Sequence, residues 1–140
     1  MRSRALAACV LALLTAACGT FEPRTLQGAV VAGQLKMADF TSGDYSGEWT
    51  RFSERFREAI AQDDYVRYAT ACAKRSGRTT GLPSKLTGAR LADDKTAIIR
   101  VEYAGTKRTQ TMVYEDSRWV GEPSAELAKN LGKPVGQWTC

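Results

Sequence analysis

The spacing of apolar residues changes once along this chain, and that change dictates the class of fold. In "WTRFSERFREAIAQ" the side chains of Trp49, Phe52, Phe56 and Ile60 recur every three or four positions, and in "DDYVRYATACAKRSG" Tyr65, Ala69 and Cys72 do the same. A repeat near 3.6 gathers those residues on one side of a helix. Beyond Gly81 and Pro83 the repeat falls to two. In "TAIIRVEY", Ala97, Ile99, Val101 and Tyr103 alternate with Arg100 and Glu102, as a half-buried strand requires. Helices followed by turn-linked strands make an α+β arrangement, with the helices packed on one face of an antiparallel sheet.

The punctuation places the elements. A first helix is expected over 49–62. A second is capped by Asp63 or Asp64 and stopped by Gly77, with Lys74 and Arg75 in its last turn facing the negative end of the helix dipole. With Arg78 and Lys85 these form a basic cluster that could bind an anion, the helix-end role being the plainer reading. "SKLTGARLA", "TAIIRVEY", "KRTQTMVYE" and "RWVGEP" read as three to four strands. They are broken by Asp93-Asp94-Lys95, Ala104-Gly105-Thr106 and Asp116-Ser117. Two N-terminal helices on this sheet form a domain over 49–123. The tail, 124–140, adds a short helix in "SAELAKNL". Residues 18–48 hold glycine at 19, 28, 33, 43 and 47 and few strongly apolar positions, so they read as a flexible tether. Within it, Val30, Val31, Leu35, Met37 and Phe40 are atypical of a linker and mark a short element that packs on the domain.

The start of the chain reads as an export signal. Arg2 and Arg4 precede an apolar run from Ala5 to Leu14, and small residues lead to Cys18 in "LLTAACGTF". The run is shorter than the roughly 18–20 residues that cross a bilayer. Its end resembles the lipobox of bacterial lipoproteins: Leu14, Thr15, Ala16, Ala17 and Cys18, with Thr15 where leucine is commoner. Cys9 follows a similar pattern, Leu6-Ala7-Ala8. Cleavage there would leave about four apolar residues after Arg4, below the 7–15 of a signal core.

The resemblance implies residues 1–17 as a lipoprotein signal peptide, cleavage before Cys18, and fatty acyl chains such as palmitate on that cysteine. The membrane is then the partner, held through lipid on Cys18. The location is the cell membrane or the outer membrane, facing the periplasm or the outside; Gly19 rather than aspartate after the cysteine suits an outer membrane where a cell has two. An ordinary secretory signal with two incidental cysteines is the alternative reading. Twenty basic residues less Arg2 and Arg4, against fifteen acids, leave the processed chain at about +3. That charge aids solubility, and an exported lipoprotein does not meet nucleic acid. Outside the cytoplasm the two remaining cysteines, Cys72 and Cys140, are expected to pair in a disulfide that pins the tail. The alternative is a buried thiol and a reactive terminus.

A second resemblance lies in "AIAQDDY", the short helix after it, and "DKTAIIRVEYAGTKRTQTMVYEDSRWV". Over about residues 49–121 this is similar to small bacterial lipoproteins of the nuclear transport factor two-like class. It implies a cystatin-like roll, in which a curved sheet wraps a helix and Trp119 caps the sheet. No catalytic motif comes with it.

The chain contains no histidine. Ser–His and Cys–His nucleophilic pairs, imidazole bases and the commonest zinc ligands are therefore excluded. Carboxylate and tyrosine chemistry remains open through Tyr65, Tyr68, Tyr103, Tyr114, Asp64 and Glu102. Each has a plainer role: tyrosines at the edge of a core, Asp64 as a helix cap, Glu102 on a solvated strand face. The acidic doublets at 63–64, 93–94 and 115–116 fall in caps and turns and lack the alternating oxygen ligands of a calcium loop. No glycine-rich phosphate loop is present, and neither metal nor cofactor is expected. The reading is a non-catalytic envelope module that binds a small apolar ligand or a partner protein, with Tyr65, Tyr68, Tyr103, Tyr114 and Trp119 as its pocket or contact face. A small Asp/Tyr enzyme on the same scaffold and a purely structural lipoprotein are the alternatives.

Overall fold

Thr25 opens the first helix by accepting a hydrogen bond from the Gly28 amide at 3.1 Å through its side-chain oxygen, satisfying one donor left bare at the helix start. The computed structural model describes residues 21–140; Cys18 and the run expected to be an export signal lie outside the described residues. The elements follow as α1 (Leu26–Ser42), α2 (Tyr45–Thr50), α3 (Glu54–Ala59), α4 (Gln62–Arg75), β1 (Ser84–Leu91), β2 (Thr96–Tyr103), β3 (Thr106–Glu115), β4 (Arg118–Gly121) and α5 (Ala125–Ala128), with a 3₁₀ turn at Val135–Gln137. The four strands form one antiparallel sheet in sequence order, so the protein is α+β. Its two later hairpins use two-residue turns with positive φ throughout: Ala104 (49°) and Gly105 (73°), then Asp116 (47°) and Ser117 (64°). That geometry matches the right-handed twist of the flanking strands.

Two apolar clusters hold the body together. One lies between α1 and the sheet and contains Ala29, Val30, Ala32, Met37, Ala97, Ile99, Val101, Met112 and Trp119. The other, under α2, α3, α4 and the tail, contains Tyr45, Phe52, Phe56, Ile60, Tyr65, Ala69 and Trp138. Phe40 touches both.

The largest departure from the sequence expectation is α1. Residues 18–48 were expected to be a tether, yet from Leu26 they form the helix that covers the sheet, followed by α2. The expected packing element around Val30–Phe40 is the middle of that helix. Its glycines serve close packing rather than flexibility: a β-carbon on Gly33 would meet Ile99 Cγ1 at 3.3 Å and Met112 Sδ at 3.7 Å.

The expected helix over 49–62 is two helices. At the break the Gly121 amide donates to the Arg51 carbonyl at 2.8 Å, and the Ser53 amide donates to the Gly121 carbonyl at 2.9 Å. Phe52 thus sits in a short parallel bridge beside β4, covering the edge of that strand. Phe52, Phe56 and Ile60 of the expected apolar stripe are buried, but backbone pairing at the sheet edge outcompetes helix continuity. Ala61, not Asp63 or Asp64, is the cap position of α4; the two acids lie in its first turn, where they suit the dipole. The tail helix is shorter than expected, ending at Ala128.

Before α1, residues Glu22 and Pro23 are clamped to the β3–β4 end of the sheet. The Glu22 amide donates to the Ser117 carbonyl at 2.9 Å, and its carboxylate accepts from the Trp119 amide at 2.7 Å. Tyr114 Oη–H donates to the Glu22 carbonyl at 2.7 Å, and Trp119 Nε1–H donates to the Pro23 carbonyl at 3.0 Å. Gly28 leaves room for this clamp, because a β-carbon there would overlap the Pro23 carbonyl oxygen. Gly28→Ala is expected to cost about 1–3 kcal/mol, the range for overpacking, and to speed amide exchange at Glu22 and Trp119 ahead of the rest of the sheet. Uniform exchange across the sheet would count against a local clamp.

Candidate functional site

The second cluster does not close against β3. Between α1, α4, the start of β3 and the tail lies a cavity of about 620 Å³. Phe40, Phe52 and Tyr65 supply aromatic wall, and Lys36 and Glu48 enter it as charged groups. These two are 8% and 3% exposed. Lys36 Nζ donates to Glu48 Oε1 at 3.1 Å and stands 3.9 Å from the centre of the Phe52 ring. Tyr65 Oη–H donates to Glu48 Oε2 at 2.8 Å. Both carboxylate oxygens are therefore taken, and the ammonium gains ring contact as well as a counter-charge. The network joins α1 to α2 and α4 across the cavity wall.

Burial first, and then the Glu48 carboxylate, push the Tyr65 phenol well above its ordinary value of 10.0. A group whose folded pKa is raised stabilises the fold fully below its unfolded pKa, and that contribution is lost as pH climbs above it. Stability should thus fall above about pH 10, by about 1.4 kcal/mol per unit from this group, because the unfolded phenol ionises and the folded one does not. Tyr65→Phe should flatten that alkaline limb by one proton's worth while lowering stability at neutral pH by about 1–3 kcal/mol for the unpaired carboxylate oxygen. Denaturant midpoints from pH 7 to 11 measure both, and parallel curves for the two proteins would refute the assignment.

Two arginines stand at the opening, and Glu122 and Glu126 also line the cavity. Gly77, with φ 62°, turns the chain after α4, and Tyr103 Oη–H donates to the Thr79 carbonyl at 3.0 Å, holding the following segment to β2. Between these points Arg78 lies with its guanidinium carbon 4.0 Å from the centre of the Phe40 ring, and Arg108 from β3 lies 5.7 Å from the same ring. Arg78 donates to Tyr45 Oη at 2.8 Å. Among the described residues neither arginine has an ion-pair partner. Arg78 Nε is buried with no hydrogen-bond partner, as is Gln110 Oε1, which also lines the cavity. A buried donor and a buried acceptor left open in one wall are costly unless something pairs with them.

Of the five residues expected to form a pocket or contact face, two line this cavity: Tyr65 and Tyr68. Tyr68 also donates to the Thr139 carbonyl at 3.0 Å. Tyr103 is buried against Phe40, edge-on at 5.9 Å. Tyr114 and Trp119 are at the other end of the sheet, engaged with Glu22 and Pro23. The two carboxylates weighed for catalysis lie elsewhere: Asp64 pairs with Arg67, and Glu102 sits in register between Lys85 and Lys107. Sequence reasoning had Arg78 in a basic cluster able to bind an anion and Phe40 in a packing element, but missed Lys36, Glu48, Arg108 and Gln110. The one available signal was a lysine flanked by apolar residues in "QLKMADF". Cys72 and Cys140 are joined by a disulfide with Cα atoms 5.5 Å apart, at the margin of the same cavity.

Among the described residues no group of three or more His, Cys, Asp or Glu side chains is placed to hold a metal ion, and no helix is long and apolar enough to cross a membrane. No protein-family model matches the chain, and no curated protein matches it in sequence.

Proposed function

We propose that this is a lipid-anchored cell-envelope protein whose exported body binds a small molecule without transforming it. The ligand places an apolar body against Phe40, Phe52 and Tyr65 and an anionic group between Arg78 and Arg108. The observation that carries this reading is the pair of guanidinium groups beside one ring at the mouth of an aromatic cavity, neither with an ion-pair partner among the described residues and with Arg78 Nε without a hydrogen bond. Guanidinium groups are the side chains best suited to carboxylate or phosphate in such a setting.

The choice of binding over catalysis is supported by Glu48, the carboxylate in the cavity wall: both its oxygens are engaged within the protein, so no free general base faces the opening from that position. The anchor rests on the lipobox-like run that ends at Cys18. Reading the body as a cystatin-like roll of the nuclear transport factor two-like class is supported by the helices-then-sheet order and by α1 lying along one face of a four-stranded antiparallel meander.

The test is direct. Protein solubilised from native membranes is extracted with organic solvent, and the extract is examined by mass spectrometry for a bound amphiphile. In parallel, a fluorescent fatty-acid analogue is titrated against purified protein and an Arg78→Ala/Arg108→Ala variant. With charge-assisted bonds worth about 1.5–3 kcal/mol each, the variant should bind at least about tenfold more weakly. Equal affinity would refute the anion site, and turnover of the probe would favour the enzyme reading.

A further inference from the structure

We propose that the folded body sits directly on the bilayer rather than at the end of a stalk, with the β1–β2 and β3–β4 turns against the lipid headgroups and the cavity mouth at the far end. This rests on the reading of Cys18 as the lipidated residue. Glu22 is fixed to the β3–β4 turn by backbone and side-chain bonds to Ser117, Tyr114 and Trp119, so the link from Cys18 consists only of Gly19, Thr20 and Phe21. Four residue steps at full extension span about 14 Å, less than half the thickness of the hydrocarbon core. A folded body bound that closely has one end at the interface. Phe21, the last link residue and the first one described, is 75% exposed, an apolar ring with no place in the body and positioned to enter the headgroup layer.

The same geometry decides which way the cavity faces. The β1–β2 turn lies beside the β3–β4 turn, since the Tyr114 amide donates to the Lys95 carbonyl at 2.8 Å and Thr96 pairs with Val113. Arg108 is seven residues before Glu115, where β3 ends at the β3–β4 turn, roughly 23 Å at 3.3 Å per residue. The end near the bilayer carries charges of both signs, including the Arg24–Asp94 pair at 3.7 Å, and so suits a zwitterionic headgroup layer. The unpaired arginines are at the other end, open to ligands arriving from the aqueous side.

The experiment uses the full lipidated chain in phosphatidylcholine vesicles containing a nitroxide-headgroup lipid. A fluorophore is placed on Asp94→Cys or on Lys107→Cys, both exposed positions at opposite ends of the sheet. Mass spectrometry of the N-terminal peptide first establishes the acyl chains on Cys18. Their absence would overturn the anchoring reading itself, and this proposal with it. With the acyl chains present, the Asp94 probe should be quenched at least about threefold more than the Lys107 probe; equal or reversed quenching overturns the orientation while leaving the anchor intact. A twelve-residue Gly/Ser insertion between Thr20 and Phe21, which adds roughly 19 Å of root-mean-square reach, should bring the two probes to similar low quenching. An unchanged difference would overturn the role of the short link.

Discussion

Serine in place of Cys140 is expected to lower the unfolding free energy by about 4 kcal/mol. The Cys72–Cys140 bond closes a loop of sequence separation 68 that contains every strand of the sheet, and loop-closure entropy of that size gives about 4 kcal/mol at 25 °C. Other bonds resist the release of the tail: Asn130 is fully buried and exchanges hydrogen bonds with Thr139 at 2.9 and 3.1 Å, and Trp138 Nε1–H donates to the Lys133 carbonyl at 3.0 Å. These bonds keep the variant folded while the unfolded chain gains freedom. Urea unfolding of the variant and of the native protein in reductant should give the same lowered midpoint. A native midpoint indifferent to reductant would show that the tail is held by its hydrogen bonds alone.

Lys36→Met is expected to cost about 3–5 kcal/mol, because it leaves Glu48 charged and buried with only the Tyr65 hydroxyl as partner. The methionine keeps the stem packing that Lys36 makes over Gly121, where its Cδ and Cε lie 2.7 Å from the site of a β-carbon, so the loss reports on charge. The double variant Lys36→Met/Glu48→Gln should recover most of it, since a neutral amide still accepts from Tyr65 and needs no cation. Denaturant unfolding of the two single variants and the double gives the coupling between the residues. A double variant as unstable as Lys36→Met alone would mean that the lysine stabilises through packing.

How legible the molecule was depended on how each element meets its neighbours. The strands were readable to within a residue or two because β2 buries alternate residues: Ala97, Ile99, Val101 and Tyr103 are all inside, and a period of two survives in any one-sided sheet. Helix α4 was readable for the same kind of reason, with Tyr65 and Ala69 on its buried face. Helix α1 was not. It buries Gly28, Ala29, Ala32, Gly33, Lys36 and Thr41 alongside Val30 and Met37, and small residues that let a helix approach a sheet look like linker when read alone. The site was hidden for a related reason. Its charged members lie on α1, α2, the turn after α4, and β3, and no local spacing connects Lys36 with Glu48 or Arg78 with Arg108.

From its residues alone the chain determined the α+β class, the order of helices before strands, the hairpin turns, and the cysteines able to pair, because all of these follow from local periodicity, turn chemistry and composition. Tertiary packing decided the rest: that a glycine-bearing segment becomes the helix over the sheet, that the helix at 49–62 breaks to pair with β4, and that six distant side chains line one cavity. Those outcomes depend on which surfaces meet across tens of residues, and contact of that range leaves no period in the sequence.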